Sequence, residues 1–110
     1  MYQQDTDSVW HGRLRVHKQT LKGQPFLLTN CTSNVSDTSD SLIRAFGVPV
    51  CLLWDIAKGG VKLHGRGENV RDFFYPLLKG HPNACGGGIP LPEGWEFLRR
   101  MYDGSIRVTP

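Results

Sequence analysis

The feature of this chain that most constrains its fold is a nearly continuous apolar run, VPVCLLW, at residues 48–54. A strand with one face in water alternates apolar and polar residues, whereas a strand covered on both faces is apolar throughout. Pro49 falls at the beginning of the run, where a strand tolerates a residue without an N–H group. We therefore expect a central strand in a sheet that carries packed layers on both sides.

Segments before and after this run predict more strands. Residues 9–17 alternate between apolar and basic side chains, which is the two-residue period of a half-buried strand. Residues 25–29 predict a short and more buried strand, and a Lys-Gly-Gly turn at 58–60 predicts a hairpin into a strand at 61–64. The basic face of the first strand consists of His11, Arg13, Arg15 and His17.

Three segments have the features of helices. The first, at 36–46, begins with a serine or aspartate cap and is followed by Gly47, a residue type that favours helix C-termini. The second, at 70–78, has apolar residues at helical spacing, although Pro76 is expected to kink or split it. The third begins with Pro92 at its first position and ends near Gly104.

The order of these elements predicts the fold class. A chain of 110 residues forms one domain. We predict a single α/β domain over residues 9–110, with a mixed sheet of about five strands and two or three helices packed on it. Residues 1–8 are polar and are expected to be frayed, and residues 105–109 are expected to add a short last strand.

Composition excludes several classes of protein. No apolar run approaches the ~18 residues that a membrane span requires, and the N-terminus lacks the basic and apolar regions of a secretory signal. We therefore expect a cytoplasmic protein with no membrane partner. The three cysteines form no CxxC pair, so a zinc ribbon is not supported and reduced, partly buried thiols are expected.

Two glycine-rich segments carry the candidate site, HGRG at 64–67 and KGHPNACGGG at 79–88. Glycines let the backbone approach a ligand and turn N–H groups toward an anion. Arg66 would add charge-assisted contacts to phosphate oxygens, and His81 or His64 would donate hydrogen bonds. The net charge of +3 is compatible with an anionic ligand. These residues predict a phosphate site.

The order of segments from 23 to 88 resembles a known domain. A strand ending in Asn30 leads through a polar loop to a helix at 41–46, then to strands at 48–54 and 61–64, an LHGRG turn and the KGHPNACGG loop. This order is similar to that of the type 1 DHH-associated domain. That domain binds substrate beside the Asp-His-His catalytic domain of DHH phosphoesterases, which include single-strand exonucleases, oligoribonucleases and cyclic-dinucleotide phosphodiesterases. Leu78 and Lys79 replace two glycines of the family's GGGH loop, and His64-Gly65 replaces Ser-Leu of its SLRS turn.

The resemblance implies a binding module for single-stranded nucleic acid, a nucleotide or another phosphate ligand. Arg66 and His81 would take the places of the family's phosphate-binding Arg and His, and Lys79 would add a cation. The residues that the resemblance and the glycine-rich segments assign to the site are Arg66, His81, Gly80, Asn83, Gly86, Gly87, His64 and Lys79.

The resemblance also implies that this chain does not catalyse a reaction alone. It contains no Asp-His-His triplet, so no catalytic residue, metal ligand or cofactor is predicted in it. A divalent metal is expected only in a separate DHH catalytic domain, which is a further expected partner. The alternatives are an interaction domain whose ligand loop has drifted, one part of a split phosphoesterase and, last, a small metal-dependent enzyme.

Overall fold

The computed structural model describes residues 8–106 and residue 108. They form one seven-stranded mixed sheet with the strand order β1-β2-β3-β4-β5-β7-β6 and three helices packed on it. The strands are β1 (Ser8–His11), β2 (Leu14–Leu21), β3 (Gln24–Asn30), β4 (Val50–Ala57), β5 (Gly60–Gly67), β6 (Lys79–His81) and β7 (Ala84–Pro90). The helices are α1 (Val35–Phe46), α2 (Val70–Phe73) and α3 (Glu93–Asp103).

One crossover makes the sheet mixed. β3 and β4 pair in parallel and are joined through α1, whereas every other pair of neighbouring strands is antiparallel. Parallel neighbours need a long connection, and a helix that packs back on the sheet supplies it. This βαβ unit lies at the centre of the domain and leaves β7 and β6 beyond it at one edge.

The central strand separates two hydrophobic cores, as the apolar run predicts. Alternate residues of β4 point to opposite faces: Cys51 and Leu53 pack beneath α1, and Val50 and Leu52 pack beneath α2 and α3. All four side chains are buried. The α1 core draws its strand residues from β2, β3 and β4, so it ends before β5.

The predicted α/β class, the mixed sheet and the helix count are confirmed, but the sheet has seven strands rather than about five. Three strands are new, one from the division of the first predicted strand and two from the predicted loop, whereas the strand predicted at 105–109 is not formed at Ser105 and Ile106. Residues 9–17 divide into β1 and β2 at a turn where Gly12 has a φ of 62°. The predicted loop after residue 79 is the β6–β7 hairpin.

All three helices also differ from the prediction. α1 begins at Val35 with Asn34 at its N-cap, in place of the predicted serine or aspartate cap. The stripe at 70–78 forms only one helical turn, α2, and the chain then leaves the helix before Pro76. Pro92 precedes α3 at its N-cap instead of occupying the first helical position. The glycines predicted to end helices, Gly47 and Gly104, both have left-handed conformations with their N–H groups bonded to the last turn.

Several other predictions have simple outcomes. The three cysteines are free and buried, as expected. Residues 1–7 of the predicted frayed segment lie outside the described residues, and Ser8 already belongs to β1. Ser105 and Ile106 are not in a strand, and residues 107 and 109 of the predicted last strand lie outside the described part. No helix within the described residues is long and apolar enough to cross a bilayer.

Candidate functional site

The register of β5, β7 and β6 aligns most of the basic candidate residues in three rungs across the sheet. The first rung joins Arg66, Ala84 and His81, and the second joins His64, Gly86 and Lys79. On the third rung Lys62 pairs with Gly88, and β6 does not extend that far. Directly paired residues of neighbouring strands project from the same face. All eight residues therefore share one face of the sheet.

These residues form a basic trench. One wall consists of Lys62, His64 and Arg66 on β5, the other of Lys79 and His81 on β6, and the floor of Ala84, Gly86 and Gly88 on β7. Strands lie ~4.8 Å apart, so the two walls are separated by roughly 10 Å, and successive rungs are about 6.8 Å apart along the strands.

The floor of the trench is open. The trench lies on the same face as α1, but the α1 core ends at β4. A Cβ built on Gly86 meets only the backbone oxygen of Leu63, at 3.1 Å, and one on Gly88 meets only that of Val61, at 3.8 Å. No side chain of the described residues comes within 4 Å of either Cβ position, so the floor offers space for a ligand between the basic walls.

Arg66 is half-buried and held in place by the sheet. Its Nη1 donates hydrogen bonds to the backbone oxygens of Gly65, at 2.9 Å, and Cys85, at 3.3 Å. Within residues 8–106 no carboxylate lies at ion-pair distance from Arg66. The guanidinium charge is thus oriented by the protein but not neutralised by it, which favours binding of an anion.

His81 is oriented by its own hairpin. Its Nδ1 accepts a hydrogen bond from the backbone N–H of Asn83, at 3.2 Å. A ring nitrogen that accepts carries no proton, so in the neutral ring the proton is on Nε2. His81 is exposed and shares its rung with Arg66, so this N–H is a hydrogen-bond donor on the first rung, on the wall opposite Arg66.

His64 lies between two cations of its own strand. Partial burial lowers the pKa of His64, the positive charges of Arg66 and Lys62 lower it further, and Asp55 on β4 opposes them. The ring is therefore neutral at neutral pH in the free protein. An anion bound in the trench would offset the repulsion from Arg66 and Lys62 and favour the protonated ring.

Asn83 has a structural task in the fold. Its side-chain oxygen accepts a hydrogen bond from the backbone N–H of Asn69, at the start of α2. The backbone N–H of Arg71 donates to Pro82, and the Arg71 guanidinium donates to the backbone oxygen of Gly80 at 2.8 Å. These bonds fasten the β6–β7 turn to α2 and fix the orientation of His81, so Asn83 acts on the trench through the hairpin.

The predicted site glycines divide between the two faces of the sheet. Gly86 lies in the floor of the trench, whereas Gly87 faces the opposite side, where an added Cβ would be 2.9 Å from the backbone oxygen of Leu77. Gly80 has a φ of 126°, and its Cβ position points at Cys85. Gly87 therefore allows a close approach on the face that carries α2 and α3, Gly80 supplies a backbone conformation that favours glycine, and neither lines the trench.

The basic strand face predicted near the N-terminus is dispersed by the structure. Arg13 occupies the β1–β2 turn, and Arg15 stacks over the exposed Trp10 ring at 5.8 Å. His11 contacts the Ser41 hydroxyl of α1, whereas His17 packs edge-on against Tyr102 of α3. These residues lie on β1 and β2 at the opposite edge of the sheet from β6, so they do not extend the trench.

Lys62 and Gly88 belong to the trench but were missing from the predicted site. The signal for Lys62 was present in the sequence as basic residues at alternate positions, Lys62, His64 and Arg66. The prediction of a turn at 64–67 concealed it, because alternation has meaning only within a strand. β5 continues to Gly67, and the turn is absent.

A second concavity lies on the opposite face. It is a groove of about 560 Å³ between α3 and the C-terminal end of β7, and its apolar lining includes Leu77, Ile89 and Phe97. Glu93, Glu96 and Arg100 also line it, and Arg100 pairs with Glu96 at 3.2 Å. Gly88 is the one trench residue that also lines this groove, and no residue of either trench wall does. The groove is suited to an apolar ligand rather than an anion.

Comparisons with protein-family models, curated proteins and solved structures give no match to this chain. Among residues 8–106 and 108, no group of three or more His, Cys, Asp or Glu side chains is placed to hold a metal ion. The trench therefore stands on its own geometry: three rungs, two basic walls and an open floor.

Proposed function

We propose that this protein is a binding module for phosphate-bearing ligands, either a nucleotide or single-stranded nucleic acid, and that the basic trench is its binding surface. The observation that carries the proposal is the first rung, where Arg66 and His81 face each other across Ala84. A fixed guanidinium and a fixed imidazole N–H on either side of a small residue are complementary to a phosphate.

The resemblance to the type 1 DHH-associated domain supports the same ligand class, because Arg66 and His81 are the two residues that it assigns to phosphate. In this proposal the chain binds and does not cleave, a cytoplasmic DHH catalytic domain is its partner, and any divalent metal belongs to that domain.

The competing proposal is an interaction domain whose ligand loop has drifted. It is favoured by Leu78 and Lys79, which stand where the family has glycines, and it predicts no affinity for phosphate.

The proposal is tested by fluorescence anisotropy of labelled single-stranded DNA and RNA at two salt concentrations. We expect binding that weakens steeply with salt, because each neutralised phosphate releases counterions. His81→Ala removes one hydrogen bond and is expected to weaken binding roughly five- to tenfold. The control is His11→Ala, which removes an imidazole ring from β1, at the opposite edge of the sheet from β6. It should leave the affinity unchanged.

The outcome that contradicts this proposal is specific. If folded wild-type protein binds neither nucleic acid nor a mononucleotide at low salt, the trench is not a phosphate site and the interaction domain is favoured. Circular dichroism of each variant is required, since His81 also accepts the hydrogen bond from Asn83.

The affinity for phosphodiesters is expected to rise as pH falls from about pH 8 to about pH 6, through the range in which histidine titrates. The pKa of His64 is lowered in the free protein by burial, Arg66 and Lys62. A bound anion raises it, so the ligand stabilises the protonated ring and binding takes up a proton. The gain in affinity is complete below the pKa of His64 in the free protein, and it disappears as pH rises through the pKa of His64 in the complex.

This pH dependence is measured with a phosphodiester that has no terminal phosphate, so that the ligand does not titrate. We expect a several-fold gain for the wild type and a smaller gain for His64→Gln, which keeps a neutral donor. Because His81 also lies in the trench, the informative quantity is the difference between the two proteins. Equal pH profiles would show that His64 does not face the bound anion.

A further inference from the structure

The trench is longer than one phosphate requires. Arg66 and His81 occupy its first rung, and Lys62 occupies the third, beside Gly88. Lys62 lies four positions before Arg66 on the same strand, which corresponds to roughly 13 Å between their Cα atoms. A single phosphate bound by Arg66 and His81 lies out of contact with a cation at that distance.

The spacing of the rungs matches an extended polyanion. Successive rungs are about 6.8 Å apart, which is close to the separation of neighbouring phosphates in a stretched single strand. Each rung carries cationic or histidine side chains: Arg66 with His81, His64 with Lys79, and Lys62 alone. No carboxylate in the described part of the chain pairs with Lys62 or Lys79.

The third rung is also more open than the first two. β6 ends at Lys79 on the second rung, so the trench loses one wall beside Gly88. Asp55, on the other side of Lys62 in β4, is the nearest strand partner of opposite charge, and its Oδ1 accepts a hydrogen bond from the backbone N–H of Ile56. Although Asp55 is paired with Lys62 in register, no ion pair joins their side chains in the described part of the chain, so the Lys62 ammonium is available to a strand that leaves the trench at this end.

We propose that Lys62 and Gly88 form a third anion subsite, so that the trench binds three consecutive phosphates of an extended phosphodiester lying along β7. This inference rests on the proposed function and names its ligand class: a linear single strand, as opposed to a mononucleotide with one phosphate group. The first phosphate lies between Arg66 and His81, the second between His64 and Lys79, and the third beside Lys62.

Thymidine oligomers with one to four internal phosphodiesters and no terminal phosphate test the subsite. Titrations followed by NMR measure both weak and strong binding. We expect the affinity to rise with each phosphodiester up to three and to gain little from the fourth. Lys62→Ala should weaken the oligomer with three phosphodiesters roughly five- to tenfold and lower its salt slope by about 0.7, while the oligomer with one is unaffected.

A second variant tests the space beside Lys62 without removing charge. Gly88 has an ordinary φ, and an added Cβ meets only a backbone oxygen at 3.8 Å, so Gly88→Val fits the fold and fills the third rung. We expect it to weaken the longer oligomers selectively. Lys18→Ala removes an exposed lysine of β2 that lies over Phe46, and it should change nothing.

The possible results separate this inference from the proposed function. If the oligomer with one phosphodiester binds as well as the one with three, and Lys62→Ala and Gly88→Val have no effect, the subsite at Lys62 and Gly88 is wrong and the phosphate module stands. Affinity that grows without limit with length would also overturn it, because it indicates diffuse attraction. If no oligomer binds to the folded protein, the proposed function itself fails.

Discussion

Gly67→Ala is expected to lower the free energy of unfolding by about 3–5 kcal/mol, which is a large part of the roughly 5–15 kcal/mol that stabilises a small domain. Gly67 ends β5 with a φ of 122°, a backbone conformation that L side chains rarely adopt. A Cβ at this position would also collide with the backbone oxygen of Pro49. No side-chain rotation can relieve this contact, because the oxygen belongs to the backbone immediately before β4 and the position of a Cβ is fixed by the backbone of β5.

The matched control is Gly59→Ala, at the other end of the same hairpin. Gly59 has a φ of 78°, but no heavy atom lies within 4 Å of its Cβ position. This variant therefore carries a backbone cost of ~1–2 kcal/mol without a collision. Urea unfolding of both variants gives the difference. If they lose equal stability, the close approach of Gly67 to Pro49 does not contribute, and the β4–β5 register at that end is wrong.

Gly67 also illustrates what the sequence conceals. The HGRG segment has the composition of a turn, and the sequence analysis interpreted it as one. In the structure its glycines let other parts of the chain approach: Gly67 faces Pro49, and Gly65 lies beneath the side chains of Val70 and Leu78. A glycine needed for close packing and a glycine needed for a turn look identical until the distant partner is known.

The central strand was predictable for the opposite reason. Its evidence is local, because a run of apolar residues long enough for a strand must be covered on both faces wherever the partners come from. The glycines after α1 and α3 were equally local signals, since a helix terminus is decided within a few residues. The structure confirms these local signals, whereas the interpretation of HGRG as a turn depended on distant contacts and was wrong.

The candidate site follows the same division. Sequence reasoning identified Arg66 and His81, and the structure places them on one rung. It did not identify Lys62, which becomes part of the trench only because β5 continues through residues 64–67 as a strand. The trench exists because β5 pairs with β7 and β7 pairs with β6. The pairing of β5 with β7 cannot be predicted from the sequence of either strand alone.

Replacement of Arg66 should have the largest effect on binding. In the trench this guanidinium is held by its bonds to the Gly65 and Cys85 oxygens, so its fork is already oriented when a phosphate arrives. Arg66→Glu removes charge-assisted hydrogen bonds worth ~1.5–3 kcal/mol each and adds repulsion, which predicts a loss of affinity of at least roughly 100-fold. Anisotropy with labelled single-stranded DNA measures this loss.

Arg66→Lys separates charge from geometry. It keeps one positive charge at the first rung but cannot form the bidentate contact, so we expect about a tenfold loss and an unchanged salt slope. Arg66→Glu should lower the slope by at least about 0.7, because one phosphate loses its cation. If Arg66→Lys binds as poorly as Arg66→Glu, the affinity depends on the bidentate geometry of the guanidinium and not on its charge. If Arg66→Glu binds like the wild type while remaining folded, phosphate does not bind in this trench.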